Sequence, residues 1–125
     1  MIIGIGTDIV SIDRIESALL RFGDRFAARV LAVEEMTVYQ ASAAKHRVLA
    51  KRFAAKEAAA KAMGTGFRNG VCMRDIVITH DQLGRPLLQF SGKALLYLEK
   101  IGMKSSHLSI SDEQKYAIAF VTLTS

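Results

Sequence analysis

The sequence predicts an α+β fold in which a largely antiparallel sheet packs with one long central helix. Two observations predict this class. Neighbouring strand patterns are joined by the short turns "DQLGRP" and "DEQK", and a long alanine-rich helical pattern occupies the middle of the chain. Helices mixed with hairpin strands are typical of α+β folds. The length of 125 residues suits one domain spanning residues 1–125.

The strand predicted at residues 2–10 has two unlike faces. Alternation with period two gives one face branched residues and the other face two glycines and a carboxylate. The two sets are Ile3, Ile5, Thr7 and Ile9, and Ile2, Gly4, Gly6, Asp8 and Val10. Aspartate is disfavoured in strands, and glycine there often marks close approach by another group. Asp8 therefore either ends the strand or holds a ligand, and both interpretations stay open.

Helical patterns dominate the next part of the chain. Ser11 is the expected N-cap of the first helix and Gly23 its end. Phe22 belongs to the apolar stripe of that helix, and Asp24 is expected to cap the second helix. The four helical patterns cover residues 12–22, 25–31, 34–41 and 43–63.

The second half of the chain is predicted to contain four strands and one helix. Cys72 sits at the start of the first of these strands and is expected to be a small buried apolar residue. As the only cysteine, it excludes an intrachain disulfide and a cysteine-based zinc site. The strands cover residues 73–80, 87–90, 107–111 and 116–123, and the helix lies within residues 91–102.

Charge and composition narrow the function classes. The net charge of +5 attracts anions such as nucleic acid, anionic lipid, phosphorylated small molecules or an acidic protein. The aromatic fraction is only 7%, which weakens single-stranded nucleic-acid binding. No apolar run approaches the ~20 residues that span a bilayer, and the N-terminus lacks the features of a signal peptide. We expect a soluble cytoplasmic protein that binds neither nucleic acid nor membrane.

Glu57 occupies an unusual position on the long helix. At about 100° per residue, it falls beside the apolar positions Leu49, Phe53 and Ala60 rather than on a solvent face. A carboxylate there needs a partner, because an unpaired buried charge is costly. Two interpretations are open: Glu57 pairs with Lys61 one turn later, or it faces a polar cleft and binds a metal.

The glycine-rich loop "GTGFRNG" begins three residues after Lys61. Backbone N–H groups in such loops can cradle phosphates, although a glycine-rich loop is most often only a turn. Asp8 and Glu57 together suit a hard cation such as Mg²⁺, which takes oxygen ligands and bridges to substrate phosphates. Lys61 and the loop would then hold the rest of a diphosphate.

Three arginines near the first helix form what we call the basic ridge: Arg14, Arg21 and Arg25. The first two are seven residues apart and share a helix face, and the third follows just beyond Gly23. The basic ridge is either a solvated helix face or a docking surface for an acidic partner.

The combination of motifs resembles a known family. "IGTDIV" and, about forty residues later, "RFAAKEAAAKAMGTG" are similar to motifs of the holo-acyl-carrier-protein synthases, the small single-domain class of 4′-phosphopantetheinyl transferases. The resemblance extends through "LGRP" and the final hairpin, and it implies the fold of that class. It also implies Mg²⁺-dependent transfer of phosphopantetheine from coenzyme A to a serine of apo-acyl carrier protein, with release of adenosine 3′,5′-bisphosphate, in fatty acid biosynthesis.

The resemblance further implies roles for individual residues. Asp8 and Glu57 match the metal-binding carboxylates of the family, and Lys61 matches its lysine near the diphosphate. The stretch that lies against coenzyme A corresponds to Gly64, Thr65 and Gly66. The segments associated with the nucleotide contain Arg52, Arg85, Pro86 and His107.

The resemblance also implies partners and a mechanism. The basic ridge matches the region that meets the acidic helix of the carrier protein, and the family is typically a homotrimer with active sites between subunits. The proton of the carrier serine would pass to Glu57 or to a metal-activated water, and Lys61 would stabilise or protonate the departing phosphate. Asp112 is a departure, since many members have histidine after the "S-x-S" of the penultimate strand.

Two other functions fit fewer features of the sequence. A basic nucleic-acid-binding module explains the net charge but not the pairing of Asp8 with Glu57. A Mg²⁺-dependent phosphate-ester hydrolase explains the carboxylates but not the basic ridge.

Overall fold

The structure, a computed structural model, describes all 125 residues and confirms the α+β class. Five helices and five strands alternate irregularly along the chain, with one 3₁₀ turn at Met73–Asp75. The helices are α1 (Ile12–Phe22), α2 (Asp24–Val30), α3 (Val33–Ala41), α4 (Lys45–Met63) and α5 (Gly92–Lys100). The strands are β1 (Ile2–Ser11), β2 (Ile76–His80), β3 (Pro86–Phe90), β4 (Ser105–Asp112) and β5 (Tyr116–Thr124).

The strands form two antiparallel sheets rather than one. The three-stranded sheet has the order β1-β5-β4, and β2 pairs only with β3. The first strand therefore lies beside the last, with Asp8 opposite Ala119 in the register. This pairing places the Asp8 carboxylate on an edge strand of the fold's main sheet.

Helix α4 packs directly on β1 at positions where only glycine fits. A Cβ atom on Gly6 would lie 1.9 Å from the carbonyl oxygen of Ala58, and one on Gly4 would lie 2.0 Å from that of Ala62. Such distances are far below van der Waals contact. The close approach that the strand glycines indicated is thus made by the backbone of α4.

The core surrounds α4 on nearly every side. Its alanines are buried, and all except Ala60 belong to a cluster of 24 buried apolar residues that also includes β5 and α5 side chains. Alanine is a strong helix former, and its small side chain allows the sheet and the other helices to approach the helix axis closely. None of the five helices has both the length and the hydropathy needed to cross a membrane.

Several local predictions at the ends of elements were wrong. A bulge between Ile2 and Gly4 breaks the alternation of β1, so Ile3 packs against the core instead of sharing the exposed face of Ile5. Asp24 is the first residue of α2 and not its cap, because Gly23, with φ of 63°, occupies the cap position for both flanking helices.

Two apolar residues are more exposed than the sequence predicted. Phe22 is 54% exposed, because α1 ends there and Phe26 of α2 packs against the core instead, 6.5 Å from the ring of Phe53. Cys72 is exposed, since the strand begins only at Ile76 and the 3₁₀ turn precedes it.

Candidate active site

Helix α4 has one accessible stripe along its second half. Between Arg52 and Met63 every residue is buried except Phe53, Glu57 and Lys61, which are four apart and share a face. Glu57 therefore lies at the single opening in an otherwise buried helix. The expectation that it avoids a fully solvated face is met, since its side chain is half-buried.

Asp8 reaches the same opening from strand β1. The glycine face of the strand carries the backbone against α4, and Asp8 continues that face two residues after Gly6. Lys61 Nζ donates to Asp8 Oδ1 at 3.0 Å and to the carbonyl oxygen of Thr7 at 3.0 Å. Lys61 is thus paired with Asp8 and not with Glu57, so the simple i,i+4 pair within the helix is wrong.

The two carboxylates affect each other electrostatically. Burial raises the pKa of the Glu57 carboxyl, the negative charge of Asp8 raises it further, and the positive charge of Lys61 partly opposes both. The two carboxylates of Asp8 and Glu57 lie near only one lysine, Lys61, so the opening carries an excess of negative charge when both are ionised. This opening therefore favours an additional cation.

The residues at the opening fit a hard divalent cation. No three His, Cys, Asp or Glu side chains come together anywhere in the chain to hold a metal. A cation at Asp8 and Glu57 would therefore take further oxygen ligands from water and from a bound phosphate, which is the usual coordination of Mg²⁺ in phosphate-binding sites.

The glycine loop begins at the same end of α4. Gly64, with φ of 80°, ends the helix in a left-handed conformation, and Gly66 N donates to the carbonyl oxygen of Ala60 at 3.2 Å. The Thr65 hydroxyl donates to the carbonyl oxygen of Gly66 at 2.8 Å. The structure thus brings the loop within one helical turn of Lys61.

A separate cavity of about 330 Å³ opens on another side of α4. Its walls combine apolar residues with cationic ones, and its lining includes Lys51, Arg52, His80, Gly84, Pro86 and Asp112. Burial lowers the pKa of His80, and the charges of Arg52 and Lys51 lower it further against the opposing effect of Asp81. The cavity is therefore suited to an anionic ligand.

Arg85 lies outside the lining of this cavity. Its exposed guanidinium pairs with Asp81, whose carboxylate also accepts from the backbone N–H groups of Leu83 and Arg85. These bonds to Arg85 and Leu83 hold the pKa of Asp81 below its usual value. The pair orders the turn that presents Pro86 to the cavity.

One chain does not bring all the predicted site residues together. Arg52 and Glu57 are five residues apart, which places them about 140° apart around the helix. His107 lies on the outward face of the three-stranded sheet, level with Thr122 and Ile5. The structure therefore joins Asp8, Glu57, Lys61 and the glycine loop but separates them from the cavity and from His107.

The residue that departs from the family pattern has a structural partner. Asp112 Oδ2 accepts from Arg47 Nη1 at 3.1 Å, and the same guanidinium donates to the carbonyl oxygens of Glu113 and Gln114. Arg47 thereby ties the β4–β5 turn to the start of α4. Arg47 was not singled out from the sequence.

A buried ionic network was also missed. Glu35, Arg52 and Lys56 are 2%, 6% and 0% exposed, and the carboxylate pairs with both cations. Burial lowers the pKa of Lys56, and the nearby Glu35 charge opposes this. The available signal was that two cations, Arg52 and Lys56, stand four residues apart on an alanine-rich helix. If such a helix is buried, its cations need an acidic partner from another element.

The arginines of the basic ridge are exposed and free of acidic partners. None of the ion pairs in the chain includes Arg14, Arg21 or Arg25. Arg21 lies over the ring of Phe22 at 5.1 Å. Arg25 joins Arg29, which the sequence analysis did not single out, in lining a surface depression together with two phenylalanines.

The outward face of the three-stranded sheet is apolar. On β1, Ile5 and Ile9 are 59% and 61% exposed, and β5 exposes Tyr116, Ile118 and Phe120 beside them. Large branched and aromatic side chains grouped on one open sheet face are typical of a surface that contacts another protein.

Comparisons with known proteins give one consistent result. Residues 4–121 match the model of the 4′-phosphopantetheinyl transferase superfamily. A holo-[acyl-carrier-protein] synthase of Vibrio cholerae is 52% identical over 123 residues, 98% of each chain. The solved structure of such a synthase from Neisseria meningitidis has a TM-score of 0.95 at 46% identity, with full coverage of both chains.

A further solved structure contains a ligand. The holo-(acyl-carrier-protein) synthase of Bacillus anthracis, in complex with CoA (3′,5′-ADP), has a TM-score of 0.81 at 38% identity and covers 98% of this chain and 96% of its own.

Proposed function

The chain belongs to the 4′-phosphopantetheinyl transferase superfamily, and we propose that the opening at Asp8, Glu57 and Lys61 is its catalytic centre. The chain is an enzyme of the holo-[acyl-carrier-protein] synthase type, which transfers 4′-phosphopantetheine from coenzyme A to a serine of apo-acyl carrier protein. The family resemblance is thereby confirmed. The single observation that carries the catalytic assignment is the convergence of two carboxylates and a lysine from β1 and α4.

Asp8 and Glu57 hold Mg²⁺ in this proposal. The excess negative charge between the two carboxylates and the raised pKa of Glu57 support it. Magnesium at this position would neutralise charge on the diphosphate of coenzyme A. Lys61 is more than half exposed and paired with Asp8, so its ammonium group is placed to stabilise the departing phosphate.

The proton of the carrier serine would pass to Glu57 or to a metal-activated water. The glycine loop at Gly64, Thr65 and Gly66 borders the same opening and lies against the phosphopantetheine arm of coenzyme A.

The cationic cavity holds the nucleotide of coenzyme A. Arg52 and Lys51 supply positive charge, and Pro86 presents an apolar surface to the adenine ring. Arg85 stands at the rim through the turn that it orders with Asp81. The cavity volume of about 330 Å³ lies within the usual range for small-ligand sites.

The enzyme functions as a homotrimer, with each active site shared between neighbouring subunits. Two features support this proposal. The apolar outward face of the sheet suits contact with other copies of the chain, and the carboxylates lie on a different side of α4 from the cavity. A neighbouring subunit supplies the missing side of each site, and His107, on that outward face, contributes across the contact.

The basic ridge docks the carrier protein. Its exposed, unpaired guanidinium groups attract acidic side chains without first breaking internal ion pairs. Arg29 extends the same charged surface along α2.

The transfer is tested by incubating the protein with coenzyme A, Mg²⁺ and an apo-acyl carrier protein, and measuring the intact mass of the carrier. We expect the carrier to gain one phosphopantetheine group, and Glu57→Ala to abolish the gain while the variant stays folded by circular dichroism. Consumption of coenzyme A without an acceptor protein would instead indicate a hydrolase. Normal turnover by Glu57→Ala would contradict the catalytic assignment.

A further inference from the structure

The β2–β3 hairpin has an edge that is closed by side chains. Strand β2 pairs only with β3, so backbone groups on its other edge need partners from elsewhere. Ile78 N donates to Glu35 Oε2 at 3.2 Å, and Arg52 Nη1 donates to the carbonyl oxygen of Ile78 at 2.7 Å. The ion pair of Glu35 with Arg52, 2.8 Å long, thus takes the place of a neighbouring strand.

Glu35 accepts four hydrogen bonds and connects three elements. Its Oε2 atom accepts hydrogen bonds from Ile78 N and Arg52 Nη1. Its Oε1 atom accepts from Lys56 Nζ at 2.5 Å and from Ala32 N at 3.0 Å. One carboxylate therefore joins the start of α3 to α4 and to β2. Because Glu35 is only 2% exposed, water cannot replace these bonds.

Two walls of the cationic cavity, those formed by α4 and by the β2–β3 hairpin, depend on this carboxylate. Arg52 lines the cavity from α4, and the β2–β3 hairpin lines it with His80, Gly84 and Pro86. Glu35 bonds to Arg52 on the first wall and to Ile78 on the second, but it does not line the cavity itself. Removing its charge would leave buried cations uncompensated and free the two walls to move relative to each other.

We propose that Glu35 is a positioning residue for the nucleotide of coenzyme A. It fixes the Arg52 guanidinium, which itself bonds to the Ile78 carbonyl oxygen of the β2–β3 hairpin, at the position that a phosphorylated adenosine requires, without touching the substrate. The proposal rests on the proposed function, in which this cavity takes the nucleotide. If Glu35 had only a structural role, its removal would lower the stability of the protein alone. If Glu35 positions Arg52, its removal also lowers the affinity for coenzyme A.

The test is a double-mutant cycle read by calorimetric binding of coenzyme A and of adenosine 3′,5′-bisphosphate. We expect Glu35→Gln to weaken binding about tenfold, because the Arg52 guanidinium loses the charge-assisted hydrogen bond that fixes its position. Arg52→Gln should weaken it at least as much, and Glu35→Gln/Arg52→Gln should bind no more weakly than Arg52→Gln alone. The KM for the carrier protein should stay unchanged in Glu35→Gln.

A matched control separates positioning from stability. Tyr39 lies on the same helix, is also 2% exposed and is absent from the lining of the cavity. Tyr39→Leu should lower the Tm and leave the affinity for coenzyme A unchanged. Where Glu35→Gln fails to fold because of the charge left on Lys56, Glu35→Gln/Lys56→Met removes that charge and should show the same tenfold loss.

The outcomes distinguish the positioning role from the nucleotide site. Wild-type affinity in folded Glu35→Gln, or in Glu35→Gln/Lys56→Met, overturns the positioning role while a loss in Arg52→Gln still supports the cavity as the nucleotide site. Losses that multiply in the Glu35→Gln/Arg52→Gln variant also overturn it, because Glu35 would then not act through Arg52. Wild-type affinity in Arg52→Gln overturns both the positioning role and the assignment of the cavity.

Discussion

Lys61 and Asp8 form an ion pair of 3.0 Å although 53 residues separate them in the sequence. The pair joins β1 to the second half of α4 and places Glu57 within the electric field of a second carboxylate. A strand with two glycines and a helix of alanines make this contact possible, because neither element has side chains that would hold the backbones apart.

The first prediction concerns Glu57 and pH. Because its folded-state pKa lies above the ordinary 4.5, its contribution to stability is complete below that pH and is lost as pH rises through the raised pKa. In metal-free buffer, Glu57→Gln should have a higher Tm than the wild type at about pH 8, and the difference should vanish below about pH 4.

Thermal unfolding monitored by circular dichroism across this pH range provides the measurement. Glu34 is an exposed acid, so Glu34→Gln serves as the matched control and should show no such trend. A Tm difference for Glu57→Gln that stays constant with pH would show that the carboxylate is not perturbed by its surroundings.

The second prediction concerns the contact between β1 and α4. A methyl group on Gly6 would meet the Ala58 carbonyl oxygen at 1.9 Å, and two backbones cannot separate without disturbing the core. Gly6→Ala should therefore lower the free energy of unfolding by about 3 kcal/mol, measured by urea denaturation. Thr7→Ala, at the exposed neighbouring position, should have little effect. Equal stability of Gly6→Ala and the wild type would refute the close packing.

The third prediction concerns the basic ridge. In the proposed docking, Arg14→Glu and Arg21→Glu reverse charges on the surface that receives the acidic carrier protein, so each should raise the KM for the carrier by about tenfold or more. The KM for coenzyme A should stay within about twofold of the wild type. Lys100→Glu, an exposed charge reversal on α5, should alter neither value. Equal increases in the KM values for the carrier protein and for coenzyme A would contradict a specific role of these arginines in binding the carrier protein.

The fourth prediction concerns the outward sheet face. Ile9 is 61% exposed, and Ile9→Asp introduces a charge at the proposed contact between subunits, where burying it is costly. Light scattering should give three times the chain mass of 13.7 kDa for the wild type and a smaller species for the variant. Leu20→Asp, at an exposed apolar position on α1, should associate normally. A wild-type protein that stays monomeric would contradict the trimer.

The local patterns of the sequence predicted most of the fold. The elements were found because their periodicities and glycine ends are local signals, and the motif pair identified the family. The burial of α4 on nearly every side could not be read from its own pattern, since alanine suits a surface and a core equally well. Likewise, the partner of Lys61 depends on the packing of β1 against α4, which sequence spacing does not encode.

The residues missed by sequence reasoning share one property. The ion pairs of Glu35 with Arg52 and of Arg47 with Asp112 join residues 17 and 65 positions apart along the chain, where side-chain direction depends on how whole elements pack. Arg52 was singled out only by resemblance, and its buried pairing with Glu35 appears only in three dimensions. Such networks follow from the requirement that buried charges be paired, but that requirement does not name the partner.

The most direct test of the central claim measures binding of Mn²⁺, a spectroscopic substitute for Mg²⁺ at oxygen sites, by electron paramagnetic resonance in the presence of coenzyme A. Wild-type protein should bind one ion per active site, and Asp8→Asn and Glu57→Gln should each weaken binding by more than about tenfold. Wild-type affinity for Mn²⁺ in either variant would contradict the claim that these two carboxylates share a divalent cation.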